Sequence, residues 1–307
     1  MRNVCARLVL TVTILLPGLS VAQQWKDAPA YDKKNAANVL TRSNFFVPLF
    51  GATYKEKFEI LLQKMPATSL RGVVIYNHGC GGQWGWETTV AQFYYRQGFA
   101  VVTPDFSGRD GNKLGCAGGT EEESRKSAGE KAREGTYQAI NPARLAARAD
   151  DVMTVVDWVK RQTKLPIIIS GHSEGCRATY SINTSDPQIV GGACIKQGLQ
   201  DNYEHTWKWN SNVPMWQSLE DFDPWVMYGN NNTSNVGFER KFQADPSKLT
   251  IVRVPGRTHD PINSDSERSS LVTWLNQRVK ATLIQGQNGF NYEAVLPEIH
   301  EKLKNSK

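Results

Sequence analysis

Residues 165–176, LPIIISGHSEGC, set an uninterrupted apolar run directly before a serine flanked by glycines. Pro166-Ile167-Ile168-Ile169 is mostly β-branched, the composition of a strand buried on both faces of a parallel sheet. Gly171-His172-Ser173-Glu174-Gly175 fits G-x-S-x-G, a tight strand-to-helix turn that holds a serine hydroxyl clear of the backbone. Glycine on either side relieves crowding, so Ser173 can take a strained conformation there. Five common residues are weak evidence alone, and a serine becomes a nucleophile only with a base and an orienting acid nearby.

Working outward, strands alternate with helices. Phe45–Phe50 and Tyr54–Gln63 have strand character around Gly51 and predict an antiparallel hairpin after an irregular polar arm at 23–45. Gly72–Asn77 and Phe99–Thr103 are strands, with a helix at Thr88–Gln97 between them that Gly98 closes. Asn141-Pro142 opens a long helix to about Arg161, with Asn as cap and Pro in the first turn. A helix within 175–183, strands near Ile189–Ile195, Val213–Leu219 and Leu249–Val254, and a helix at Ser264–Leu283 follow; Ser264 and Glu267 have capping-box spacing. This order predicts an α/β fold with a mostly parallel sheet. The charged excursion 107–140 is a candidate partial lid, as is DNYEHTWKWNSN at 201–212.

The base is sought among five histidines. His172 adjoins the serine and points away from it, His78 lies in a turn before it, and His205 and His300 lie in polar segments. His259 directly follows the last strand, on a loop that can reach over the carboxyl ends of the strands, where sites of open α/β sheets lie. The acid is expected between Ser173 and His259, in LEDFD at 219–223, with Asp223 first and Asp221 second. Oxyanion donors are expected from the amide of Glu174, at a helix N-terminus, and from the turn His78-Gly79-Cys80-Gly81-Gly82, with Cys80 first and Gly81 next. Trp84, Trp86 and Trp225 flank these segments and are candidate substrate contacts.

With YNHGCGG at 76–82, GFAVVTPDFSGRDG at 98–111, GHSEG at 171–175, LEDFD and the late His259, the chain resembles the α/β-hydrolases, and within them the dienelactone-hydrolase-like group. The resemblance spans roughly residues 70–283. It implies an eight-stranded twisted sheet with helices on both faces and a catalytic order of Ser173, Asp223, His259. In such families the acid ends a turn that opens with glycine; Glu220 occupies the glycine position here. Dienelactone hydrolases proper use a cysteine nucleophile, so their substrate is not carried over. The resemblance implies a serine carboxylesterase acting on a small-molecule ester without metal or organic cofactor. The alternatives are a peptidase or amidase on the same triad, and an inactive hydrolase-fold binding protein.

The chain begins MRNVCARLVLTVTILLPGLSVAQQ, with basic residues, a short apolar stretch and small residues at Ser20 and Ala22. That order predicts a signal peptide at 1–22 and an exported, periplasmic or extracellular single domain at 23–307. The apolar stretch is too short to anchor the chain in a membrane. Cleavage would remove two arginines and no acid, lowering the formal charge from +6 to +4. No basic block suggests nucleic acid. Four cysteines would remain, and their places on neighbouring elements suggest the bridges Cys80–Cys116 and Cys176–Cys194.

Overall fold

The computed structural model describes residues 33–48, 51–64, 70–80, 82–83, 85–106, 142–197, 208–221, 223 and 246–279. Eight strands of the described residues form one sheet: β1 (Asn44–Val47), β2 (Gly51–Thr53), β3 (Gly72–Asn77), β4 (Phe99–Thr103), β5 (Ile167–His172), β6 (Ile189–Ile195), β7 (Met215–Glu220) and β8 (Leu249–Val254). Their spatial order is β2-β1-β4-β3-β5-β6-β7-β8. The β1–β2 and β1–β4 pairs are antiparallel, and every other pair is parallel.

Among the described residues, six helices accompany the sheet: α1 (Lys33–Arg42), α2 (Lys55–Lys64), α3 (Trp86–Arg96), α4 (Pro142–Gln162), α5 (Glu174–Tyr180) and α6 (Asp265–Arg278). Alternation along the strands sorts them into two layers. Val73, Ile75, Ile167 and Ile169 pack with Val39 of α1, Phe58 of α2, Val152 of α4 and Tyr180 of α5. Val74, Tyr76 and Ile168 pack on the opposite face with Tyr94 of α3 and Trp274 of α6. A mostly parallel sheet covered on both faces, with a serine elbow leaving its central strand, is the α/β-hydrolase fold.

Three local expectations are corrected: the strand at 54–63, the irregular arm and the end of the closing helix. Residues 55–64 are a helix rather than a strand, because Phe58, Leu61 and Leu62, spaced three and four apart, give one buried helical stripe. The hairpin partner of β1 is the shorter Gly51–Thr53. The polar arm also carries a helix at 33–42, whose Val39 and Leu40 join the core. The closing helix starts as expected, with the Ser264 hydroxyl accepting the Glu267 amide at 3.1 Å, but it ends at Arg278. The excursion 107–140 and residues 201–207 lie outside the described residues.

Candidate active site

β5 lies between β3 and β6 with all six residues buried, so the turn after it starts from an enclosed, interior strand end. Ser173 follows with φ 55° and ψ −123°, a conformation L-residues avoid, and caps the start of α5. The flanking glycines are sterically required. A Cβ on Gly171 would stand 2.6 Å from the Cys176 nitrogen, and one on Gly175 would reach 2.5 Å from the His78 carbonyl oxygen. The Ser173 N–H donates to the Ile195 carbonyl at 3.1 Å, and its own carbonyl accepts the Cys176 N–H at 3.0 Å. The expected Cys176–Cys194 disulfide is present and ties α5 to β6, with Cα atoms 5.0 Å apart.

The turn after β3 lies against this elbow. A side chain on Gly79 would begin 3.5 Å from Ser173 Cβ and 3.4 Å from His172 Nδ1. The Phe106 N–H donates to His78 Nε2 at 3.1 Å, which places the ring proton on Nδ1, 2.7 Å from the Gly79 carbonyl. From beneath, Arg148 of α4 donates to Glu174 Oε1 at 2.6 Å and to the His78 carbonyl, so one buried guanidinium holds both the turn and the first residue of α5. Its plane lies over the Phe106 ring, 4.5 Å from the centroid. Cys80 sits in this turn and is disulfide-bonded. Its expected partner Cys116, and the alternative donor Gly81, lie outside the described residues.

At the far end of the site, Asp223 Oδ2 lies 2.6 Å from His259 Nδ1. The acid is fully buried and the histidine 7% exposed. Asp221, the second choice for the acid, is exposed, and its amide donates to the Val254 carbonyl at 3.0 Å. The two ends meet through His172, whose Nε2–H donates to the His259 carbonyl at 2.8 Å; the two rings are 4.7 Å apart. Burial, reinforced by the neighbouring His259, holds His172 well below the usual imidazole range, so it stays neutral. Trp86, 43% exposed, sets its ring edgewise 5.0 Å from His172 and 6.5 Å from His259. Trp84 and Trp225 lie outside the described residues.

Sequence reasoning set His172 aside because a residue beside the serine cannot be its base; its contact with the backbone of His259 has no sequence signal. Arg148 was equally hidden, as one of several charges on a long helix. Among the described residues, no group of three or more His, Cys, Asp or Glu could hold a metal ion. No described helix is long and apolar enough to cross a membrane.

No protein-family model matches the chain, and no curated protein is found similar to it. Solved structures with a partial likeness include a cold-adapted esterase from an Arctic intertidal metagenomic library, 18% identical over 69% of this chain and 84% of that one, with a TM-score of 0.45. An esterase domain from a Rhodothermus marinus protein is 15% identical over 77% and 92%, with a TM-score of 0.44. A Klebsiella pneumoniae protein provisionally assigned as a dienelactone hydrolase is 14% identical over 70% and 90%, with a TM-score of 0.47. At such values the fold assignment rests on the chain's own strand order and serine elbow.

Proposed function

We propose that the chain is a serine hydrolase that cleaves small to medium carboxylic esters through an acyl-enzyme. The observation that carries this reading is the strained Ser173 elbow at one end of a site whose other end is a buried Asp223–His259 pair at 2.6 Å. Ser173 Oγ attacks the ester carbonyl carbon while His259 Nε2 takes its proton. Asp223 accepts from Nδ1–H, fixing the tautomer and favouring the imidazolium as it forms. His259 then returns the proton to the departing alkoxide, and water, activated by the same base, releases the acid. The amides of Glu174 and Cys80 serve the oxyanion, and each such donor contributes about 3–4 kcal/mol to the transition state.

Trp86 supplies a partly exposed indole face beside His259, which suits an aromatic or flat apolar group on the substrate. Export is part of the same proposal. It is supported by the signal-type segment at 1–22 and by the disulfides at Cys176–Cys194 and Cys80, which are at home in an oxidising compartment.

A fluorophosphonate probe followed by peptide mass spectrometry tests the chemistry. One adduct on Ser173, absent in Ser173→Ala, is expected; folded wild-type protein that takes up no probe overturns the reading. A matched panel of esters and anilides then separates esterase from amidase.

A further inference from the structure

His259 stands on a loop that core packing holds only at its two ends, through Val254 before it and Pro261 and Ile262 after it. Pro255, Arg257, Thr258 and Asp260 are all exposed, and β8 before them is an edge strand. Loops of this kind fluctuate unless something pins them, yet a general base must stay within hydrogen-bond reach of the proton it takes.

The pin is a buried charge cluster below the loop. Lys196, at the end of β6 with φ 51°, is fully buried, and its amide donates to Ser218 Oγ at 3.1 Å. Its ammonium donates to Glu220 Oε2 and to Asn263 Oδ1 at 3.1 Å, and lies 3.5 Å from Glu267 Oε2. Glu220 Oε1 in turn accepts the backbone N–H of Thr258, the residue before His259, at 2.5 Å. The Glu220 carbonyl accepts the Asp223 N–H at 3.3 Å, so one residue touches the backbone on the acid side and on the base side. Glu267, also fully buried, accepts the Ser218 hydroxyl at 2.5 Å and the Asn263 N–H at 3.2 Å. Asn263 Nδ2 closes the ring by donating to Thr258 Oγ1 at 2.5 Å.

Gly256 has its place in this arrangement, since a Cβ there would run into the Glu220 carboxylate. Glu220 is the residue standing where the resemblance to dienelactone-hydrolase-like proteins implies a glycine. Its side chain occupies space that a glycine would leave open, and the glycine requirement appears at 256 on the facing loop.

We propose that Glu220, held by Lys196, is a positioning residue that fixes His259 against Asp223, so that the glycine-to-glutamate departure is part of the catalytic machinery. The proposal rests on the reading of Ser173, Asp223 and His259 as a triad. Breaking the cluster frees the loop, lowers the fraction of molecules with the imidazole in line, and so reduces turnover more than substrate binding.

The test is steady-state ester hydrolysis by Glu220→Gln and Gly256→Ala, with proton NMR of the downfield His259 Nδ1–H resonance. Glu220→Gln removes the charge facing Lys196, whereas Gly256→Ala displaces the carboxylate and keeps every charge, so it reports even where the first variant does not fold. Each is expected to lower kcat about 10- to 100-fold with KM within about twofold, and to shift or broaden the resonance. Adding Gly256→Ala to Glu220→Ala is expected to cost nothing further, because the carboxylate it displaces is already gone. Folded variants with wild-type kcat and an unchanged resonance overturn the proposal, as does full additivity of Gly256→Ala and Glu220→Ala. His259→Ala separates the two readings: if it retains activity the triad itself fails, and if it abolishes activity while Glu220→Gln and Gly256→Ala do not, only the pin fails.

Discussion

Ser173 and His259 both follow parallel strands, but the strands differ. β5 is central and wholly buried, while β8 is an edge strand with most residues only partly covered. On the serine side the backbone is held by contact: neither Gly171 nor Gly175 has room for a methyl group, and a disulfide fastens α5 to β6. On the histidine side the obstacle at Gly256 is the far end of the Glu220 side chain, and the loop is held by a buried ammonium and two carboxylates. The Ser173 turn is thus immobilised by packing, where displacement means steric overlap, whereas the middle of the His259 loop is held by charge pairs reaching up from the sheet.

Arg148 offers the largest effect. Arg148→Met strands the buried Glu174 carboxylate and is expected to destabilise the protein by about 3–5 kcal/mol in urea titrations. Adding Glu174→Gln is expected to restore most of that stability but not kcat, because the His78 carbonyl still lacks its guanidinium. Recovery of both together would mean that Arg148 does nothing for the turn. The two glycines sharpen the contrast directly. Gly175→Ala meets backbone and is expected to cost roughly 3 kcal/mol, against about 1–2 kcal/mol for Gly256→Ala, which meets a side chain that can yield only by loosening its pair with Lys196. Equal losses would erase the distinction between the two sides.

A smaller effect concerns pH. Burial raises the Glu267 carboxyl above its ordinary value near 4.5, opposed by the Ser218 hydrogen bond and by Lys196. The folded state therefore binds this proton more tightly than the unfolded state. Stability attributable to Glu267 falls as pH rises from the ordinary value through the raised one, and acidification across that window recovers it. Thermal melts across it are expected to show this slope in wild type and a flatter one in Glu267→Gln; identical slopes would remove Glu267 as its source. Smallest is Trp86→Ala. With the indole 43% exposed, its loss is expected to change stability by less than about 0.5 kcal/mol, and to raise KM for aryl esters roughly fivefold while leaving small alkyl esters alone.

The difference between the two sides also explains what the sequence disclosed. Packing constraints write themselves locally: Gly171 and Gly175 flank Ser173 in the chain because their own α-carbons need the space, so the elbow and its central strand were readable. Asp223 and His259 were readable as residues after strands, in order. The helix at 55–64 was missed because Phe58, Leu61 and Leu62 sit among charges in a segment whose alternation also suits a strand. Lys196, Glu220 and Glu267 are distant in sequence and meet only when β6, β7 and α6 converge, so no local pattern carries them. The departure at Glu220 was visible, but its meaning needed Gly256 and Thr258 beside it.

The account turns on Ser173 and His259 acting as one unit from these two differently held sides. Rates of ester hydrolysis by Ser173→Ala, His259→Ala and the double variant measure that most directly. Residues that act as a unit lose nearly everything at the first substitution, so all three are expected to fall to one common floor, on the order of 10⁴- to 10⁶-fold below wild type. A His259→Ala enzyme that keeps its rate, or single losses that multiply in the double variant, would contradict the account.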